Sequence, residues 1–264
     1  MAQAAEATEG WLNKVPEVTF YFWIIKVLAT TVGETAADML STTMNLGAQG
    51  TNLIMGGLLL AALLAQVRLR KYVPWIYWVA VVLISVAGTL ITDGLVDKLG
   101  ISLQVTTAAF SVALAGTFIF WYLRERTLSI RTIVTRRREL FYWAAVLFTF
   151  ALGTAAGDLM AEGLSLGYAP SGLVFGAMIG AAAIAHYAFK ANAVLTFWIA
   201  YILTRPFGAS LGDLLSQPVT NGGLGLGTVV TSALFLATIV ALVAFLTVTR
   251  RDALVAIRGD GGVM

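Results

Sequence analysis

The sequence predicts an all-α integral membrane protein with eight transmembrane helices, arranged as four parallel two-helix repeats. Hydrophobic residues make up 59% of the 264 residues and charged residues only 12%, which is about half the charged share of a soluble domain. Apolar stretches long enough to cross a bilayer recur along the whole chain. A tryptophan and a Gly-x4-Asp motif also recur four times in one register. Together these observations leave little of the chain for a soluble domain.

The apolar stretches predict eight helices, with bounds good to a few residues, at 18–42, 52–67, 74–97, 104–123, 139–163, 170–189, 193–215 and 224–247. In this arrangement every basic residue of the loops and tails except Lys98 falls on one side of the membrane. Because basic loops stay in the cytoplasm, we expect both chain termini there. A different number of helices would mix the basic residues between the two sides, so the charge distribution supports the count as well.

Several classes of function are excluded by composition and motif. The chain has no cysteine and one histidine, His186, so thiolate, iron–sulfur and histidine-rich metal sites are not expected. No Gly-x4-Gly-Lys phosphate loop is present, so the chain is not expected to hydrolyse ATP. The high isoelectric point comes from bases in loops between apolar helices, and membrane topology explains it without a nucleic-acid partner. No removable signal peptide is expected at the N-terminus.

The repeat is defined by an aspartate that follows a glycine by five residues and a tryptophan by fifteen. The aspartates are Asp38, Asp93, Asp158 and Asp213; the glycines are Gly33, Gly88, Gly153 and Gly208; the tryptophans are Trp23, Trp78, Trp143 and Trp198. Successive aspartates are 55, 65 and 55 residues apart, and the extra ten residues lie in the basic loop after the fourth helix. The chain therefore also divides into two halves of one membrane domain, residues 1–128 and 129–264.

The second helix of each repeat has its own pattern, at 14 and 18 residues after the aspartate. These positions hold Asn52, Thr107, Gly172 and Gly227, followed by Gly56, Ser111, Gly176 and Thr231. Small residues four apart let helix backbones approach closely in lipid. We interpret them mainly as a seam between helices.

These features are similar to those of the bacterial membrane-protein family catalogued as a "repeat of unknown function". The segment Lys26-Val-Leu-Ala-Thr-Thr-Val-Gly-Glu-Thr-Ala-Ala-Asp38 resembles the first-repeat motif of that family. The resemblance covers nearly the whole chain. It implies the eight-helix architecture and a location in the bacterial inner membrane, and it brings no activity with it.

The odd-numbered helices carry a polar stripe at intervals of four residues, which keeps to one helix face. The stripes end in Glu34 and Asp38; Thr89, Asp93 and Asp97; Thr154, Asp158 and Glu162; and Asp213 and Gln217. The four aspartates share one depth, in the outer part of the hydrocarbon core. There, ionisable groups cost about 2.5–3.5 kcal/mol each and normally face the bundle interior or a water-filled cavity.

We expect these groups to bind a small hard cation. The predicted ion-binding residues are Glu34, Asp38, Asp93, Asp158, Asp213, Thr30 and Asn52, with Glu34, Asp38 and Asp158 as metal ligands and Lys26 and Arg205 as compensating charges. Asp38 and Asp158 should pair across the centre of the bundle, and Asp93 and Asp213 should form a second pair. Ligands that offer only oxygen suit Mg²⁺, Ca²⁺, Mn²⁺ or protons. No cofactor besides such a cation is expected.

Three functions remain open from the sequence. The leading hypothesis is a secondary transporter or channel that moves a small cation, with the lipid bilayer and the cation as partners and a homo-oligomer left open. The alternative is a scaffold or subunit in which each aspartate hydrogen-bonds the start of the next helix. An intramembrane aspartyl protease ranks third because Gly157-Asp158 and Gly212-Asp213 lack the earlier glycine of a Gly-x-Gly-Asp motif. We therefore do not expect an enzyme.

Overall fold

The computed structural model describes residues 13–42 and 47–252, and this part of the chain contains eight long helices and no strand. The helices are α1 (Phe20–Thr42), α2 (Gly47–Arg68), α3 (Pro74–Asp93), α4 (Leu103–Glu125), α5 (Arg136–Asp158), α6 (Tyr168–Tyr187), α7 (Ala193–Ser216) and α8 (Thr228–Thr249). All eight predicted helices are confirmed. The largest differences are of five residues: α2 begins five residues before its predicted start, and α5 ends five residues before its predicted end.

Seven of these eight helices are long and apolar enough to cross a membrane. The exception is α1, in which Lys26, Glu34 and Asp38 interrupt the apolar run. Helix α1 is 23 residues long, so it matches the others in length and differs from them in having a less apolar sequence. The chain therefore has the composition and the helices of a multi-pass membrane protein.

The helices form two layers around one axis. The odd-numbered helices form an inner ring, in which α1 and α5 each pack against both α3 and α7. The even-numbered helices lie outside it. In α3, α5 and α7, 56–61% of the spanning segment is buried, compared with 11–28% in the four outer helices. The polar stripes of the sequence therefore belong to the inner layer.

Each outer helix packs mainly on the inner helix of the following repeat. Helix α2 packs on α3, α4 on α5, α6 on α7, and α8 returns to pack on α1. The two helices of one repeat contact each other far less. The four repeats are thus interlocked, and the contact of α8 with α1 closes the ring.

The repeated glycines let the inner helices approach one another closely. A Cβ atom added at Gly33, Gly88, Gly153 or Gly208 would lie 2.5–2.8 Å from the Cβ atom of Ser85, Phe150, Arg205 or Thr30, respectively. Each of these partners is on the next inner helix, eight residues before its aspartate. The glycine of the Gly-x4-Asp motif is therefore required by helix packing.

At the opposite end from the aspartates, the repeated tryptophans close the bundle. They alternate with the preceding aromatic residue of each repeat in a closed ring of eight side chains, Phe22, Trp23, Phe197, Trp198, Tyr142, Trp143, Tyr77 and Trp78. Successive ring centroids are 5.1–6.3 Å apart. Each tryptophan contacts the aromatic residue before it and the corresponding residue of a neighbouring repeat, so the four positions are equivalent within this ring. We call this set the aromatic ring.

Beyond the aromatic ring lies the end of the bundle that carries the basic loops, which we call the basic end. There the fully buried Lys14 Nζ and Glu139 Oε2 form an ion pair of 2.6 Å, and Gln66 Nε2 donates to the Lys14 carbonyl at 3.2 Å. The Tyr72 hydroxyl donates to Asp252 Oδ2 at 2.5 Å. The N-terminal segment, the loops after α2 and α4, and the end of α8 therefore meet at one end, as expected for an even number of crossings.

Candidate cation site

The other end of the bundle, which we call the acidic end, contains a cavity of about 310 Å³ between the C-terminal parts of the inner helices. It is lined by Glu34, Asp38, Leu90, Asp93, Val96, Asp97, Lys98, Leu103, Asp158, Glu162, Asp213 and Gln217. Seven of these twelve residues are acidic, and the four repeated aspartates are all among them. The four aspartates, which the sequence places at one depth, therefore line one cavity.

Two of the aspartates lie where an inner helix changes its winding. After Asp93, α3 continues as a π-helical turn, Gly94–Lys98, and after Asp158, α5 continues as another, Leu159–Gly163. Such turns are rare in proteins, and those that occur are often found at functional sites. Within the described ranges, neither aspartate side chain makes a capping hydrogen bond. The carboxylates line the cavity and do not tie their helix to the next one.

Three carboxylates come close enough to share one ion. One oxygen each from Glu34, Asp158 and Asp213 lies within 4.8 Å of the other two. The sequence predicted Asp38 in place of Asp213. In the inner ring, α7 lies beside both α1 and α5, whereas α1 and α5 are diagonal to each other, so Asp213 reaches the other two. Asp38 instead accepts a hydrogen bond of 3.2 Å from Gln217 Nε2.

Arg205 forms the floor of this site. Its Nη2 pairs with Glu34 Oε2 at 2.8 Å and donates to Thr154 Oγ1 at 2.7 Å and to Thr89 Oγ1. Its Nη1 donates to the Thr30 carbonyl at 2.7 Å. The guanidinium is fully buried. Through these bonds, Arg205 on α7 contacts all three of the other inner helices. The prediction that Arg205 compensates a carboxylate agrees with this contact.

Lys26 does not compensate a carboxylate in the same way. It is fully buried, and among the described residues its Nζ has no hydrogen-bond or ion-pair partner. The ammonium position lies 4.0 Å from the ring centroid of Phe150 and 4.2 Å from that of Tyr201. Two helical turns separate Lys26 from Glu34, and Arg205 occupies the space beside that carboxylate. Lys26 is therefore buried among aromatic rings, and none of the described acids is its partner.

Two further predicted ligands lie away from the cavity. The Thr30 hydroxyl donates to the Val27 carbonyl at 2.6 Å and to the Thr204 carbonyl at 3.2 Å, so Thr30 supports the site only through its own carbonyl. Asn52 is exposed on α2 and does not line the cavity. The seam predicted in the outer helices is also incomplete, since Gly176 packs against α7 whereas Ser111 is exposed.

The predicted site left out Asp97, Lys98 and Glu162, which line the cavity, and three polar residues that bind its side chains, Thr89, Thr154 and Gln217. Thr89 and Thr154 bind Arg205, and Gln217 holds Asp38. All three lie on the polar stripes, four residues before or after an aspartate. That spacing is the sequence signal that could have identified them. It does not show that they bind other side chains and not a metal ion.

The family described as "Repeat of Unknown Function (DUF347)" matches four consecutive segments, residues 21–72, 76–127, 141–192 and 196–252. The chain belongs to this family. Each DUF347 segment contains one inner and one outer helix of the structure, so the family repeat and the structural repeat coincide. No curated protein and no solved structure matches the chain.

The four DUF347 repeats contribute unequally to the site. Every repeat supplies the aspartate, but four residues before it only the first repeat supplies a carboxylate, Glu34, and eight residues before it only the fourth supplies a cation, Arg205. These two residues face each other because α1 and α7 are neighbours in the closed ring. The four repeats are equivalent in architecture, but the site that they form is asymmetric, with the extra carboxylate on α1 and the cation on α7.

Proposed function

We propose that the protein is a secondary transporter or channel that moves a small hard cation through the cavity at the acidic end. The observation that carries this proposal is the meeting of the Glu34, Asp158 and Asp213 carboxylates within 4.8 Å. Carboxylate oxygens in this number are ligands that Mg²⁺, Mn²⁺ and Ca²⁺ prefer. Among the described residues, the seven acidic residues of the cavity have two basic neighbours, Lys98 on its wall and Arg205 at its floor, so internal pairing leaves most of the negative charge for a cation.

The contacts favour this proposal over a structural role for the aspartates. A scaffold would use each carboxylate to hold neighbouring helices together, and only Asp38 accepts such a bond, from Gln217. The carboxylates of Asp93, Asp158 and Asp213 accept no hydrogen bond from any described residue, although Asp213 is only 8% exposed. An ionisable group at membrane depth normally pairs with another group or marks an ion pathway, and these three carboxylates have no such partner within residues 13–42 and 47–252.

The proposed orientation places the basic end in the cytoplasm of a bacterial cell, because basic loops are retained on that side of the inner membrane. The cavity then opens outward, and the aromatic ring separates it from the cytoplasm. This arrangement is that of a transporter with its outer side accessible and its inner side closed. Repeats that share one direction across the membrane are a known transporter plan.

The decisive experiment measures Mn²⁺ binding by calorimetry on purified protein and Mn²⁺ uptake into liposomes that contain it. Asp213→Asn removes one ligand charge and keeps the side-chain size, so we expect binding at least about tenfold weaker and loss of uptake. Glu17→Gln, at the basic end, is the matched control and should behave as the unmodified protein. If liposomes with the protein take up no Mn²⁺, Mg²⁺ or Ca²⁺, the transport proposal fails and the scaffold alternative is favoured.

A further inference from the structure

We propose that the site takes one divalent cation, and that Arg205 determines this preference by acting as a fixed positive charge within it. The inference rests on the proposed function, because it names the class of cation for the same cavity. The carboxylate cluster alone does not specify the charge or the number of the bound ions. In this inference, the pairing between Arg205 and Glu34 determines both.

Arg205 is fixed in place by its contacts. Its two Nη atoms are engaged by the Thr30 carbonyl, Glu34 Oε2 and Thr154 Oγ1 at 2.7–2.8 Å, and its side chain passes over Gly153, where a Cβ atom would clash with it. Arginine does not lose its proton in proteins. The guanidinium is therefore a permanent positive charge, and only one of the two Glu34 oxygens is occupied by it.

The charge of the site follows from these contacts. Glu34, Asp158 and Asp213 contribute three negative charges within 4.8 Å, and Arg205 neutralises one of them. The remaining two match one divalent ion. A monovalent ion would leave a negative charge unbalanced in a medium of low dielectric constant, and two divalent ions would place an excess of positive charge in the same small volume. Asp38, Asp93, Asp97 and Glu162 line the same cavity but lie outside the group of three, so their charges surround the ion without serving as its ligands.

Asp213 provides an independent observation that the site is built for a ligand. More than nine-tenths of this residue is buried, it lines the cavity, and its carboxylate accepts no hydrogen bond from any side chain or backbone group in the described part of the chain. A carboxylate that is both buried and without a donor is costly in free energy unless a cation compensates it. Arg205 does not do so, because its Nη atoms donate to the Thr30 carbonyl, Glu34 and Thr154, and among the described residues it forms no ion pair with Asp213.

A pair of variants separates charge matching from the number of ligands. Glu34→Gln lowers the net charge of the site to one negative charge, and we expect at least about tenfold weaker Mn²⁺ binding. The double variant Glu34→Gln/Arg205→Met has lost the same carboxylate but again carries two negative charges, so its Mn²⁺ affinity should return to within about threefold of the original. If the number of carboxylate ligands decided affinity, the double variant would stay as weak as Glu34→Gln.

Calorimetry with MnCl₂ on the purified full chain, with NaCl as competitor, gives the remaining outcomes. One Mn²⁺ per chain that excess Na⁺ does not displace supports the inference. Two Mn²⁺ per chain, equal competition by Na⁺, or no recovery in a double variant that elutes as a single species overturns it and leaves cation binding in place. If the double variant does not fold, Asp213→Asn decides, since it keeps the ion pair and should lose the preference for Mn²⁺ over Na⁺. No binding of Mn²⁺ or Na⁺ to the unmodified protein overturns the proposed function itself.

Discussion

The close approach of the inner helices can be tested at Gly208 on α7. A Cβ atom there would lie 2.6 Å from the Cβ atom of Thr30 and 3.1 Å from the backbone nitrogen of Thr31. Thr30 is β-branched, which restricts its rotation, and its hydroxyl is engaged by the Val27 and Thr204 carbonyls. Since carbon atoms pack best at about 3.5–4.0 Å, Gly208→Ala requires α1 and α7 to separate by roughly 1 Å.

The expected cost follows from two opposing effects. Overpacking a well-packed core typically costs about 1–3 kcal/mol, while replacing a helical glycine by alanine gains up to about 1 kcal/mol through helix propensity. Gly116 on α4 is the matched control, because no other atom lies within 4 Å of a Cβ atom placed there. Gly116→Ala should therefore show the gain alone, and the two variants should differ in stability by about 1–3 kcal/mol.

Thermal unfolding in detergent is the appropriate assay. At about 2–4 °C per kcal/mol for a chain of this size, Gly208→Ala should unfold about 2–12 °C below Gly116→Ala. Equal unfolding temperatures would mean that the inner helices are not held in contact at the repeated glycine, and that helix packing does not require the glycine of the Gly-x4-Asp motif.

Two further predictions concern the basic end. A cysteine introduced at Arg136, in a chain that has none of its own, should resist an impermeant thiol reagent in intact cells and react after lysis; labelling in intact cells would reverse the proposed orientation. Lys14→Met should destabilise the protein by about 3–5 kcal/mol, since it leaves the buried Glu139 without its cation at 2.6 Å. The measurement is thermal unfolding, and a loss below about 1 kcal/mol would show that Gln66 and water suffice for Glu139.

The helices and the repeat could be predicted from the sequence because both are local patterns. An apolar stretch of sufficient length defines a membrane helix wherever it packs, and the spacing of Trp23 and Asp38 recurs in each repeat without any knowledge of the fold. The stripe at intervals of four also predicted that Asp38 and its equivalents would share one cavity, because a helix face follows from its period.

The ligand set depended on which helices are neighbours, and the sequence does not contain that information directly. A two-fold relation between the halves favoured Asp38 and Asp158 as partners across the centre. In the closed ring, Asp213 is adjacent to both helices and completes the group instead. Lys26 was counted as a compensating charge from composition alone, although eight residues along a helix place it about 12 Å from Glu34. Counting charges did not take account of this distance.

The packing of α8 on α1 makes the order of the repeats in space circular, although the peptide chain is linear. Each repeat is held by the one before it and the one after it, so the fold is a circle in which the first and last repeats are neighbours like any other pair. The N-terminal segment and the end of α8 already meet, through the bond of 2.9 Å from the Glu17 nitrogen to the Asp252 carbonyl. The peptide backbone could therefore be joined there and opened in the loop after α4, and the circularly permuted chain would keep every contact between helices.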